Sequence, residues 1–211
     1  MTEKSAFLQE GDTAPQTRIQ RAKRQQILEA GLTVFSEAGF RGATLDRIAT
    51  EAGLSKPNLL YYYPSKEAIY EALLRDLLAT WLDPLQAIDP KGEPVEEILA
   101  YVGRKLQMSR DFPRESRLFA NEIVQGAPRI MPALEGELRD LVNTLATVIK
   151  GWIAAGRMAP VDPHHLLFSV WSLTQHYADF DVQVRAVLND DDPFPGAEQH
   201  LDLLFRRLLT P

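Results

Sequence analysis

Between residues 44 and 67, caps, glycine and proline leave room only for two very short helices with a tight turn between them. Thr44 is a natural N-cap for a helix over about 45–52, with Leu45, Ile48 and Ala49 turned inward. Gly53 suits the left-handed conformation at a helix end. Ser55 caps the next helix, Pro57 falls in its first turn, and Pro64 ends it. This second helix, with Tyr61, Tyr62 and Tyr63 in a row, is too short and too aromatic for an ordinary core helix. Such a pair is a means of placing a helix in the major groove of DNA.

The rest of the chain reads as helix. The basic cluster Arg18, Arg21, Lys23 and Arg24 leads into a helix with Ile27, Leu28, Leu32, Val34 and Phe35 at helical spacing, and Gly39 stops it. Ser65 caps a long helix whose Ile69, Leu73, Leu77, Trp81, Leu85 and Ile88 form one apolar stripe, kinked or ended by Pro84. Further helices are predicted over 95–111, 114–126, 131–155, 163–189 and 197–209. No strand alternation, internal repeat or low-complexity tract stands out. The expected fold is all-α with about nine helices. A flexible arm (1–16) precedes a helix-turn-helix domain (17–64) and a larger helical ligand-binding and dimerisation domain (65–211).

Charge supports that division. The chain carries a net −6, yet residues 17–66 hold eight basic and four acidic side chains, while 67–211 hold 14 basic and 22 acidic. A basic head on an acidic body fits a partner approached through the head alone, and nucleic acid is that kind of partner. No run of about 18 apolar residues and no apolar leader is present, so no membrane span is expected and the location reads as cytoplasmic. With no cysteine, disulfides and thiolate chemistry are excluded.

The DNA-reading residues follow from the helix starts. Lys56, Pro57 and Asn58 open the second short helix. Lysine donates to guanine acceptors, asparagine pairs with adenine, and proline packs on a thymine methyl. Thr44 and Lys66, at flanking helix starts, suit phosphate clamping. Three consecutive tyrosines span too wide an arc to be buried together, so Tyr61 or Tyr62 is expected to present a hydroxyl to phosphate.

Taken together, Thr44 to Glu67 resembles the helix-turn-helix of the TetR family, with its cap, glycine turn, aromatics and Pro-Ser-Lys run at fixed spacing. The resemblance extends into the ligand half. The stretches Ser109–Pro113, Ser116–Phe119, Gly126–Pro128, Ala159–Pro163 and Thr174–Phe180 are similar to the branch of that family that regulates pyrimidine utilisation. It runs from about residue 20 to 190; the first 16 residues and the tail after 190 do not match. The resemblance implies a homodimer whose last two long helices pair across a two-fold axis into a four-helix bundle. Each head would then enter one half of a palindromic double-stranded operator, with recognition helices about 34 Å apart or more. It also implies a small effector, uracil or thymine, that alters operator binding.

A pyrimidine base needs a flat wall, a bifunctional amide and a cationic donor. Trp171 and Gln175 lie i, i+4 on one helix face, and Asp179 continues that face by a turn. Gln175 offers both donor and acceptor to an imide edge, and Asp179 can accept a ring N–H. Trp81 can supply the wall, Arg117 and Asn121 form a second i, i+4 pair, and Lys105 is a further cation. Each also has a plain structural reading as core or as an intradomain ion pair. His164 and His165 point about 100° apart and do not chelate one metal. No phosphate loop, dinucleotide turn or nucleophile elbow occurs, so no cofactor, metal or catalytic residue is expected. The competing readings are a regulator of this family that answers another small molecule, a helical adaptor that binds only protein, and a helical enzyme.

Overall fold

The computed structural model describes residues 18–211; the arm expected over 1–16 lies outside them. Among the described residues every regular element is helical. In order they are α1 (Arg18–Gly42), α2 (Leu45–Glu51), α3 (Lys56–Tyr62), α4 (Lys66–Gln86), α5 (Pro94–Asp111) and α6 (Pro113–Val124). There follow α7 (Met131–Ala133), a π-helical turn (Leu134–Leu138), α8 (Arg139–Ala154), α9 (Pro163–Asp179), α10 (Asp181–Leu188) and α11 (Phe194–Leu209).

The head is set by local chemistry. Gly39 takes φ 64°, ψ 175° and interrupts α1 where the sequence predicts a stop. Thr44 accepts from the Arg47 N–H at 3.2 Å and starts α2. At its end, Gly53 (φ 61°) lets its own N–H reach Thr50 O and the Leu54 N–H reach Ala49 O, the paired bonds of a Schellman turn. Ser55 then accepts from the Asn58 N–H and starts α3. Helices of seven residues do not stand alone in water. Burial of Ile48 and Leu59, both at 0% exposure, holds them against α1. Gly31 on α1 permits close approach to α4, because a Cβ there would meet Ile69 Cγ2 at 2.9 Å.

α4 is the rod that leaves the head. Ser65 caps it by accepting from the Ala68 N–H at 3.1 Å. Its spine of Ile69, Leu73, Leu77, Trp81 and Leu85 is buried throughout. Pro84 lies in its last turn and the helix ends two residues later, at Gln86. One apolar core gathers α1–α3, α4 from Ile69 to Trp81, Leu118 on α6 and the turn residues Ala127 and Ile130. A second gathers Leu85 with α5, α8, α9 and α11. α6 is therefore seated on head and body together.

Two elements differ from the sequence expectation. The predicted helix over 163–189 is two helices, broken at Phe180 (φ −118°, ψ 29°). Arg117 supplies a physical reason: its guanidinium lies 3.8 Å from Asp181, the first residue of α10, and 3.5 Å from the Ala178 carbonyl at the end of α9. The predicted helix over 131–155 runs on but contains the π turn, for which the residues offer no account. Counting α7, the π turn and α8 as one rod, the described residues form ten rods, in keeping with the about nine expected and the one extra break at Phe180.

Candidate DNA-reading face and effector cavity

Ser55 fixes the start of α3, so Lys56, Pro57 and Asn58 stand exposed on the first turn, with Tyr61 exposed one turn further on. Lys56 Nζ donates to Asp46 on α2 at 2.9 Å. Of the three tyrosines, Tyr61 is 73% exposed, Tyr62 is half-buried with its ring edge-on to Tyr61, and Tyr63 is buried. The Arg24 guanidinium lies 5.0 Å over the Tyr63 ring. Burial pushes the Tyr63 hydroxyl pKa up, partly opposed by its hydrogen bond to Arg24.

Thr44 is exposed, with its oxygen already accepting at the cap and its hydroxyl proton uncommitted by that bond. Lys66, expected as a phosphate clamp, is half-buried and already engaged within the head. Its ammonium donates to the carbonyls of Phe40 at 2.8 Å and Ala43 at 2.9 Å, and sits 4.4 Å over the Phe40 ring. Those carbonyls lie beyond the Gly39 break at the end of α1 and need donors, so Lys66 ties the start of α4 to the end of α1.

Behind the head, a cavity of about 600 Å³ opens among α4, α5, α6, the π turn and α9. The side chains of Trp81, Lys105, Arg117, Asn121, Trp171, Gln175 and Asp179 all line it. Trp81 comes from the fifth turn of α4, Lys105 from α5, Arg117 and Asn121 from α6, and the other three from α9. Leucines from α4 and the π turn, with Phe119 and Phe180, complete an apolar lining. Its volume lies within the ordinary range for small-molecule sites.

The polar groups divide into paired and unpaired. Asp179 accepts from the Ser116 hydroxyl at 2.6 Å, and burial raises its pKa against that bond and the nearby Arg117 charge. The Trp171 indole N–H donates at 2.6 Å to the Tyr101 hydroxyl. Tyr101 lines the cavity too but escapes the sequence reading, although it stands i, i+4 from Lys105 on α5. Gln175 makes no side-chain hydrogen bond to any described residue. Lys105 is 3% exposed with its Nζ 4.4 Å over the Trp81 ring, and burial pulls its pKa down to about 8. The Trp81 indole N–H is buried without an acceptor.

The histidines have other work. His164 Nε2 lies 3.0 Å from Asn143 Oδ1, and His176 stacks on Phe180 with centroids 5.1 Å apart. Among the described residues no group of three or more His, Asp or Glu is placed to hold a metal ion, and no helix is long and apolar enough to cross a membrane.

Two family profiles match in sequence. "Bacterial regulatory proteins, tetR family" covers residues 27–73, and "YcdC-like protein, C-terminal region" covers 74–211. The chain is 49% identical over 175 residues to the HTH-type transcriptional regulator RutR of Escherichia coli K12, covering 83% of this chain and 82% of that protein. In structure it resembles a tetR-family regulatory protein from Rhodococcus RHA1, with a TM-score of 0.73 at 19% identity over 90% of this chain and 98% of that one. It also resembles AibR, solved with isovaleryl coenzyme A and operator DNA, with a TM-score of 0.65 at 16% identity over 85% and 96% of the two chains. Likeness at that identity carries the fold alone.

Proposed function

The chain belongs to the TetR family of bacterial regulatory proteins, and from that premise we propose that it controls pyrimidine utilisation, with uracil or thymine in the cavity altering its grip on an operator. Helix-turn-helix transcriptional regulation is the family's activity; the effector and the residue roles are our reading. In it, residues 17–64 are the reading head and 65–211 the ligand-binding and dimerisation body. Lys56, Pro57 and Asn58 read base edges, while Thr44, Tyr61 and Tyr62 hold phosphates.

The observation that carries the effector assignment is the chemistry gathered around one cavity. An unpaired amide (Gln175), a carboxylate (Asp179), an unpaired ammonium (Lys105) and two indoles match the alternating edge and flat face of a pyrimidine. The stretches of the ligand half that resemble pyrimidine-utilisation regulators support the same reading.

A second copy of the chain supplies the symmetry a palindrome needs. Phe168 on α9 and Leu203, Leu204 and Leu208 on α11 stand 38–49% exposed. Apolar residues at those spacings are suited to a helical interface and poorly suited to water. The breadth of the cavity favours one alternative, a bulkier planar or apolar effector.

A thermal-shift screen separates the two. Uracil or thymine at about a hundredfold excess over Kd is expected to raise Tm by roughly 5–10 °C, with adenine inert. No shift with either pyrimidine contradicts the proposal.

A further inference from the structure

Lys105 is a buried ammonium on the cavity wall, and among the described residues no carboxylate lies within ion-pair distance of it. The nearest balance it receives is the face of Trp81 at 4.4 Å, whose own N–H is buried without an acceptor. The ammonium thus faces the cavity with nothing among the described residues to accept from it.

The other charges do not cancel this one. Asp179, the carboxylate on the lining, is engaged by Ser116 at 2.6 Å and lies near Arg117. Arg117 itself reaches Asp181 only at 3.8 Å, so the lining carries more positive than negative charge. A buried charge is tolerated when it is paired, and here the partner must come from whatever enters. A neutral base offers a carbonyl oxygen but no charge, and it leaves part of a 600 Å³ cavity empty.

Resting on the proposed pyrimidine effector, we infer that the cavity prefers a pyrimidine bearing a ring carboxylate, whose oxygens accept from the Lys105 ammonium while the Trp81 ring backs it. The amide of Gln175 remains for the imide edge. Charge-assisted hydrogen bonds in a partly desolvated site are strong enough to set this preference.

The test is calorimetric titration of the full-length protein with uracil and with uracil 6-carboxylate (orotate), for wild type, Lys105→Met and Lys105→Arg. Wild type is expected to bind the carboxylate at least about tenfold more tightly than uracil. Lys105→Met is expected to bring the two affinities within about threefold, whatever it does to either alone, and Lys105→Arg to restore part of the preference. Uracil binding as tightly as the carboxylate in wild type, or more tightly, overturns this inference and leaves the pyrimidine effector standing. Binding of neither compound overturns both. The wild-type ratio needs no variant, so a misfolded substitution does not protect the idea.

Discussion

Arg114 on α6 donates to Glu29 on α1 at 2.7 Å and to the Thr33 hydroxyl of the same helix at 3.1 Å, fastening a wall of the cavity to the first helix of the head. Both charged partners are 41–57% exposed, so the pair adds little stability, about 1 kcal/mol at most. Arg114→Ala is expected to leave the urea midpoint nearly unchanged. It should reduce the ratio of operator affinities measured with and without effector, because a ligand acts at a distance only through contacts that differ between two poses. An unaltered ratio would take this link out of the transmission route.

Glu122 makes a tighter joint and gives a different expectation. It is 1% exposed, accepts from the Arg129 N–H at 2.8 Å, and holds the Arg129 guanidinium at 3.2 Å. That guanidinium lies 3.6 Å over Phe40 and 5.2 Å from Tyr70. Burial, followed by the Glu122 charge, raises the Tyr70 pKa above the ordinary phenol value. Glu122→Ala strands the arginine and should lower stability by about 3 kcal/mol, read as a lower urea midpoint at constant slope.

Lys105 predicts a pH effect of definite sign. Its ammonium is disfavoured by burial, with a pKa of about 8 in the fold against 10.5 when free. At pH 7 both states are protonated and the fold carries the full penalty, of order 3 kcal/mol. Between pH 8 and 10 the folded protein sheds the proton before the unfolded chain does, so the penalty shrinks as pH rises. The stability gap between wild type and Lys105→Met should therefore move in favour of wild type from pH 7.5 to 9.5. Above pH 10 the raised pKa values of Tyr63, Tyr70 and Tyr101 work the other way, since the unfolded chain then loses phenol protons first. A gap that stays constant across this window would show that Lys105 is well solvated.

On the reading face, Asn58 and Lys56 should fail differently. Asn58→Ala is expected to weaken operator binding by about 1–3 kcal/mol while barely changing affinity for random duplex. Lys56 starts from an ion pair with Asp46 at 2.9 Å, so the DNA contact proposed for it would replace a bond already made. Lys56→Ala should cost less than a free cation would. Asp46→Asn, which releases Lys56 and removes a negative charge, should strengthen binding to random duplex at low salt. Band-shift titrations at two salt concentrations distinguish these outcomes.

Much of the head is legible because its boundaries are local. Thr44, Ser55 and Ser65 each cap the helix that follows, and Gly53 adopts the positive φ that the turn requires. What the head does with Lys66 is not local. The carbonyls it serves belong to Phe40 and Ala43, more than twenty residues earlier, where α1 comes to its end and leaves them without helical donors.

The cavity divides in the same way. Helical spacing alone places Trp171 and Gln175 on one face, whereas their meeting with Trp81 and Lys105 depends on how α4, α5 and α9 cross. Tyr101 was within reach of the i, i+4 rule from Lys105, but its partner Trp171 lies 70 residues away. The break at Phe180 has neither glycine nor proline to announce it. Its partner is Arg117, on another helix.

Operator binding measured by fluorescence anisotropy, with and without uracil, on wild type and Gln175→Ala tests the central claim most directly. Uracil is expected to change the wild-type operator affinity by at least about fivefold, the lower end of ordinary allosteric coupling, and to leave the variant's affinity nearly unchanged. A wild-type affinity that does not move at saturating uracil and thymine would contradict the account.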